Sequence, residues 1–103
     1  MPVIQVQSTE EFKKHIAGSK LVVVDFYATW CGPCKVIAPK FATFSDQFDG
    51  VFLKVDVDEL GEVAQTAGIS AMPTFHLYKN GNKVAELVGA DAKKLEQLIA
   101  DNI

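Results

Sequence analysis

Cys31 and Cys34 are the only cysteines of the chain and stand two residues apart in Trp30-Cys31-Gly32-Pro33-Cys34-Lys35. The pair follows an apolar run that reads as a buried strand and opens a helical pattern, so the leading chemistry is that of a reversible dithiol. As a mere staple the bond would contribute little, because closing so short a loop removes roughly 2 kcal/mol of denatured-state entropy, less than a long loop would. A strand running directly into a helix sets the helix N-terminus at the carboxyl edge of the sheet, where backbone N–H groups and the macrodipole favour an anion. A thiolate is such an anion. Cys31 is therefore expected at the exposed helix start with a depressed pKa, as the attacking group, and Cys34 one turn deeper, as the resolving group. Side chains three apart on an ideal helix are about 5–6 Å between Cβ atoms, too far for a disulfide, so Cys31 must occupy the non-helical cap. Pro33 suits the first turn, where its missing N–H would have no helical partner.

The strand leading to the cysteines, Leu21-Val22-Val23-Val24-Asp25-Phe26-Tyr27-Ala28, carries one ionisable acid, Asp25. Burial would raise the pKa of Asp25 and let it take the proton of Cys34, directly or through water. Lys54 falls on the same face of its strand as Phe52 and Asp56 and can neutralise Asp25; that pairing and proton acceptance are compatible. A structural zinc would need two ligands beyond the cysteines, and His15 and His76 lack ligand spacing, so no metal is expected.

The elements that must position these groups are legible in the hydrophobic pattern. Val3 to Val6 reads as a short strand. Ser8 and Glu11 have capping-box spacing ahead of Phe12 and Ile16, and Gly18 should end that helix. The Val22 run reads as a central strand of a parallel sheet, buried on both faces. The second helix should extend from the cysteines to about Phe48, burying Val36, Ile37, Phe41, Phe44 and Phe48. Val51 to Val57 reads as a strand, and Asp58 as the cap of a helix that carries Leu60, Val63, Ala64 and Ala67 and stops at Gly68. Thr74 to Tyr78 and Lys83 to Val88 flank Asn80-Gly81, a two-residue hairpin signal. Asp91 heads a closing amphipathic helix with Ala92, Leu95, Leu98 and Ile99. The expected class is α/β in the order βαβαβαββα, a central mixed five-stranded sheet flanked by four helices.

The 103 residues are expected to form one domain, 1–103, and 49% hydrophobic residues suffice for a core without staples. A net charge of -3 with lysine as the only strongly basic residue type weighs against nucleic-acid and anionic-membrane partners, since arginine's bidentate phosphate and guanine contacts are missing. Neither a secretory h-region nor an Arg-rich transit segment is legible in residues 1–12, so a cytoplasmic location is expected.

Beyond these patterns, the chain resembles the thioredoxin family over its whole length. The residues that carry the likeness are Asp25-Phe26-Tyr27-Ala28-Thr29-Trp30-Cys31-Gly32-Pro33-Cys34-Lys35, then Lys54 with Asp56-Val57-Asp58, then Met72-Pro73-Thr74 and Val88-Gly89-Ala90. The resemblance implies a general protein-disulfide reductase with no bound cofactor beyond its own Cys31–Cys34 disulfide. It also implies re-reduction by an NADPH-dependent thioredoxin reductase, since no dinucleotide-binding glycine pattern occurs in the chain. Its clients would be disulfide-containing proteins such as peroxiredoxins, methionine sulfoxide reductases and ribonucleotide reductase, and it would act as a monomer. Met72-Pro73 resembles the cis-proline peptide beside the disulfide of that family. Trp30, Gly32, Pro33, Ala71, Met72, Pro73, Gly89 and Ala90 resemble its shallow client-binding surface. Two competing functions are a glutathione-dependent glutaredoxin, disfavoured by Gly32-Pro33 and the lack of arginine, and a binding module gated by the dithiol state without turnover.

Overall fold

A computed structural model, describing residues 2–103, carries the elements β1 (Ile4–Gln5), α1 (Thr9–Ile16), β2 (Val22–Tyr27), α2 (Gly32–Gln47), β3 (Val51–Asp56), α3 (Gly61–Ala67), β4 (Thr74–Lys79), β5 (Asn82–Val88) and α4 (Ala92–Asn102). The order is the expected βαβαβαββα. The strands lie side by side as β1-β3-β2-β4-β5. β2 is central, but its neighbours differ in sense: β3 runs parallel to it and β4 antiparallel. The sheet is therefore mixed, and the parallel surroundings expected of β2 hold on one side only. The reason is the hairpin, which makes β4 and β5 antiparallel neighbours.

Alternation along the strands sorts the core into two layers. Val23, Phe52, Phe75 and Leu77 meet Ile37, Phe41 and Phe44 of α2 and Leu95 and Ile99 of α4 on one face. Val22, Val24, Phe26, Leu53 and Val55 meet Phe12 of α1 and Val63 of α3 on the other. Asp25 lies between Lys54 of β3 and Phe75 of β4 in the sheet register, and so points to the α2 face.

Several boundaries differ from those expected. β1 is two residues long rather than four. Ser8 does cap α1, accepting the N–H of Glu11 at 3.1 Å, but the Glu11 carboxylate accepts the N–H of Gln7 at 2.7 Å, one residue before the cap. The helix ends at Ala17, whose N–H reaches the carbonyls of Lys13 and His15, one residue ahead of Gly18. Val36 is not in the buried stripe of α2: it is 77% exposed, because Ile37, Phe41 and Phe44 at i, i+4 and i+7 turn the Val36 side of the helix to solvent. Asp58 does not cap α3. Asp56 intervenes, its Oδ1 accepting the N–H groups of Asp58 at 2.9 Å and Glu59 at 3.4 Å. This tight turn delays the helix to Gly61, with Leu60 at a cap that lacks a side-chain hydrogen bond. Gly68 closes α3 in the left-handed region, as expected. His76 is buried in β4, with Nδ1 3.1 Å from the Tyr78 hydroxyl, and burial pushes its pKa down.

At the hairpin, Asn80 and Gly81 both have positive φ, 55° and 83°, the requirement of a type I′ turn. A Cβ on Gly81 would meet nothing within 4 Å, so Gly81→Ala should cost only the backbone penalty, about 1–2 kcal/mol. Thermal unfolding should record this as a fall in Tm on the order of 5–10 °C; an unchanged Tm would contradict the turn assignment.

Candidate redox site

The disulfide forms where β2 hands over to α2. Cys31 is the N-cap of α2, with extended φ −87° and ψ 112°, and Cys34 sits in the first turn behind Pro33. That placement brings the two Cα atoms to 5.3 Å and joins the sulfurs, as the cap argument requires. The Cys31 Sγ accepts the backbone N–H of Cys34 at 3.2 Å. An N–H of the helix start therefore points at this sulfur, which is the arrangement that stabilises a thiolate once the bond is reduced. Cys31 is less open than expected: in the disulfide it is 5% exposed and Cys34 3%. The difference between the two sulfurs thus lies in the helix N-terminus rather than in solvent access.

Ala28 is buried with both cysteines, and Tyr27, Val57 and Met72 pack against them. The Met72-Pro73 peptide is cis and sets the Met72 carbonyl oxygen 3.7 Å from the Cys31 Sγ. Gly89, with φ 106°, donates its N–H to the Pro73 carbonyl at 2.9 Å, bringing the 88–90 segment to the same edge. Gly32, Pro33, Ala71 and Ala90 are exposed there, while Met72 and Gly89 are half-buried and Pro73 is buried. Trp30 is 66% exposed, and its Nε1 donates to the Asp58 carboxylate at 2.9 Å. The indole is therefore held on the surface beside the disulfide rather than packed into the core. Asp58 stands in the Asp56-Val57-Asp58 stretch of the family likeness and was read from the pattern as a helix cap; its hydrogen bond to the Trp30 indole was not foreseen, because no local signal couples positions 28 residues apart.

Behind the disulfide, Asp25, Cys34, Lys54 and Tyr27 line one recess of about 220 Å³. Asp25 is 1% exposed, and neither carboxylate oxygen has a hydrogen-bond partner among the described residues. Burial pushes its pKa from an ordinary 3.8 up to about 7, with Lys54 acting against the rise. Lys54 does not hydrogen-bond to the carboxylate: its Nζ stands over the Tyr27 ring, 4.5 Å from the centroid. The direct neutralisation read from the alternation is thus replaced by a weaker through-space attraction. Chemically, the recess offers a carboxyl able to take up a proton near neutral pH within the same cleft as Cys34. Among the described residues no group of three or more His, Cys, Asp or Glu side chains is placed to hold a metal ion. No helix among them is long and apolar enough to cross a membrane.

Comparison with known proteins bears on this geometry. The family model described as Thioredoxin matches residues 3–101. Thioredoxin-1 of Schizosaccharomyces pombe is 58% identical over 102 residues, spanning 98% of this chain and 99% of that protein. Among solved structures, the thioredoxin of Malassezia sympodialis superposes with a TM-score of 0.92 at 50% identity, over 98% of this chain and 93% of that one. A chain from a study of thiol resolution in a yeast mitochondrial 1-Cys peroxiredoxin via glutathione and thioredoxin systems superposes with a TM-score of 0.91 at 37% identity, over 96% and 94% of the two chains.

Proposed function

The chain belongs to the thioredoxin family, and from that premise we propose that it is a general protein-disulfide reductase whose Cys31 attacks and whose Cys34 resolves. Disulfide reduction by thiol–disulfide exchange follows from the family and its cysteine pair. The observation that carries the assignment of roles is the Cys34 N–H aimed at the Cys31 Sγ.

In this reading the reduced Cys31 thiolate attacks one sulfur of a client disulfide. A mixed disulfide forms and the first client sulfur leaves as thiolate. Asp25, ionised at that moment, accepts the proton of Cys34 within the shared recess, directly or through water. The Cys34 thiolate then attacks the Cys31 Sγ and the second client thiolate leaves. Two electrons have passed to the client, and the chain is left in the disulfide form seen here. Lys54 stabilises the ionised form of Asp25. Trp30, Gly32, Pro33, Ala71, Met72, Pro73, Gly89 and Ala90 receive the client segment, with glycine and alanine letting backbone approach backbone.

Electrons return, in the same proposal, from NADPH through a thioredoxin reductase. Peroxiredoxins, methionine sulfoxide reductases and ribonucleotide reductase are client classes, the first supported by the peroxiredoxin context of a structural neighbour. A cytoplasmic location suits a dithiol that must be kept reduced. Residues 1–103 act as one domain and as a monomer, which leaves Trp30 and Pro33 open to clients.

With NADPH and thioredoxin reductase, catalytic amounts of the chain should reduce a protein disulfide at many turnovers per molecule, and glutathione as sole reductant should not support this. Turnover with glutathione and none with the reductase would overturn the assignment in favour of a glutaredoxin.

A further inference from the structure

The buried acid behind the disulfide has a lysine as its register neighbour, yet the two do not hydrogen-bond. Asp25 and Lys54 are directly opposite on the parallel strands β2 and β3, and neighbouring strands lie only about 5 Å apart. The lysine stem is long enough to carry its ammonium to the carboxyl. It goes instead to the Tyr27 ring, with Nζ 4.5 Å from the centroid, and the Asp25 oxygens keep no hydrogen-bond partner among the described residues.

Tyr27 is itself pinned. It lies on β2, two residues beyond Asp25 and on the same face, and its hydroxyl donates to Gln5 Oε1 at 2.9 Å. Gln5 belongs to β1, on the far side of β3, where it is the register partner of Lys54. The phenol therefore reaches from β2 across β3 to β1, with both ends of its span fixed, and presents its face to the Lys54 ammonium.

We propose that Tyr27 is a positioning residue for proton transfer: its ring, anchored by Gln5, holds the Lys54 ammonium away from the Asp25 carboxyl. The ring's negative face attracts the cation, and this arrangement lets the ammonium keep solvent while its stem lies along the recess. The carboxyl is thereby left to burial, which favours its protonated form. This inference rests on the reading of Asp25 as the proton acceptor and says how the acid is kept ready for that role. Other groups that face Asp25 do not supply a rival partner. From α2 the recess is lined by Cys34 and Lys35, and neither hydrogen-bonds to the carboxyl. β4 presents Phe75 opposite it. Asp56, the other acid on the Lys54 side, is engaged through its Oδ1 with the backbone of Asp58 and Glu59.

The test is the pKa of Asp25 itself, read from the carboxyl carbon by NMR in the oxidised protein. Tyr27→Leu removes the ring face and frees Lys54 to pair with the acid, so the Asp25 pKa should fall by about one unit or more, the scale of an opposite charge brought within contact. Tyr27→Phe keeps the face and loses only the Gln5 hydrogen bond, and should shift less than half as far. Tyr27→Leu combined with Lys54→Met should return the value of Lys54→Met alone. An unchanged pKa in Tyr27→Leu would overturn the proposal. So would an equal fall in the double variant, which would assign the effect to water entering the recess. The acceptor role is judged separately: if Asp25→Asn left mixed-disulfide resolution at its original rate, that reading would fail while the NMR result stood.

Discussion

Cys34→Ser accumulates mixed disulfides with client proteins, and Cys31→Ser accumulates none. The expectation follows from the cap geometry. An attacking sulfur must be a thiolate near neutral pH, and only the Cys31 Sγ receives a helix-start N–H, from Cys34 at 3.2 Å. Cys34 lies inside the first turn of α2, where its use is to attack the Cys31 sulfur of a mixed disulfide rather than an incoming client. Without Cys34 the first exchange proceeds and the second cannot, so the client stays bound through Cys31. Without Cys31 the first exchange is lost, and turnover should fall by at least about 10³-fold, the scale of removing a covalent nucleophile. Non-reducing gels after incubation with clients read both outcomes. Trapping mainly in Cys31→Ser would reverse the assignment.

Asp25→Ala should unfold at higher urea than the parent at pH 8, with the advantage shrinking as pH falls through 7 and gone near pH 4. Burial raises the folded-state pKa of Asp25 to about 7, against an ordinary 3.8. Between these values the folded protein binds more protons than the unfolded chain. Stability therefore falls as pH rises through that window and levels off above it. At 1.36 kcal/mol per unit, the ionised acid costs the parent about 4 kcal/mol at pH 8. Replacement by alanine removes this cost and leaves a small void, so the net gain should be on the order of 3 kcal/mol, or roughly 2 M in the urea midpoint. Resolution of the mixed disulfide should slow in the same variant, because its proton acceptor is gone. Equal midpoints for parent and variant at both pH values would show that the folded-state pKa is ordinary.

The long periodic segments were the readable part of the fold. The short, β-branched apolar run of β2 has the signature of a strand covered on both faces, and the spacing of Ile37, Phe41 and Phe44 buries one side of α2. Asn80-Gly81 named its own turn, because two consecutive positive φ values exclude most other residues. Boundaries were read less well wherever one polar side chain could serve two neighbours. Asp58 has the composition of a cap, but Asp56 captured the backbone of the turn first and left Asp58 to the Trp30 indole. Val36 shows the complementary limit: it is apolar and one step off the stripe, so its type suggests core while the helix turns it to solvent.

The cysteine spacing at a helix start determined that a disulfide joining Cys31 to Cys34 places Cys31 in the non-helical cap, since side chains three apart on an ideal helix stand too far apart to be bridged. The sequence likewise determined that one acid would be buried ahead of it, because the residues flanking Asp25 are apolar on both sides. What surrounds that acid was decided only by tertiary structure. Strand order brought Lys54 opposite Asp25 and Gln5 beyond Lys54, and the Tyr27 ring then took the ammonium. Such contacts join residues 22 to 49 positions apart. They depend on which strands become neighbours, a choice made by the whole core, and so leave no periodic trace in the local sequence.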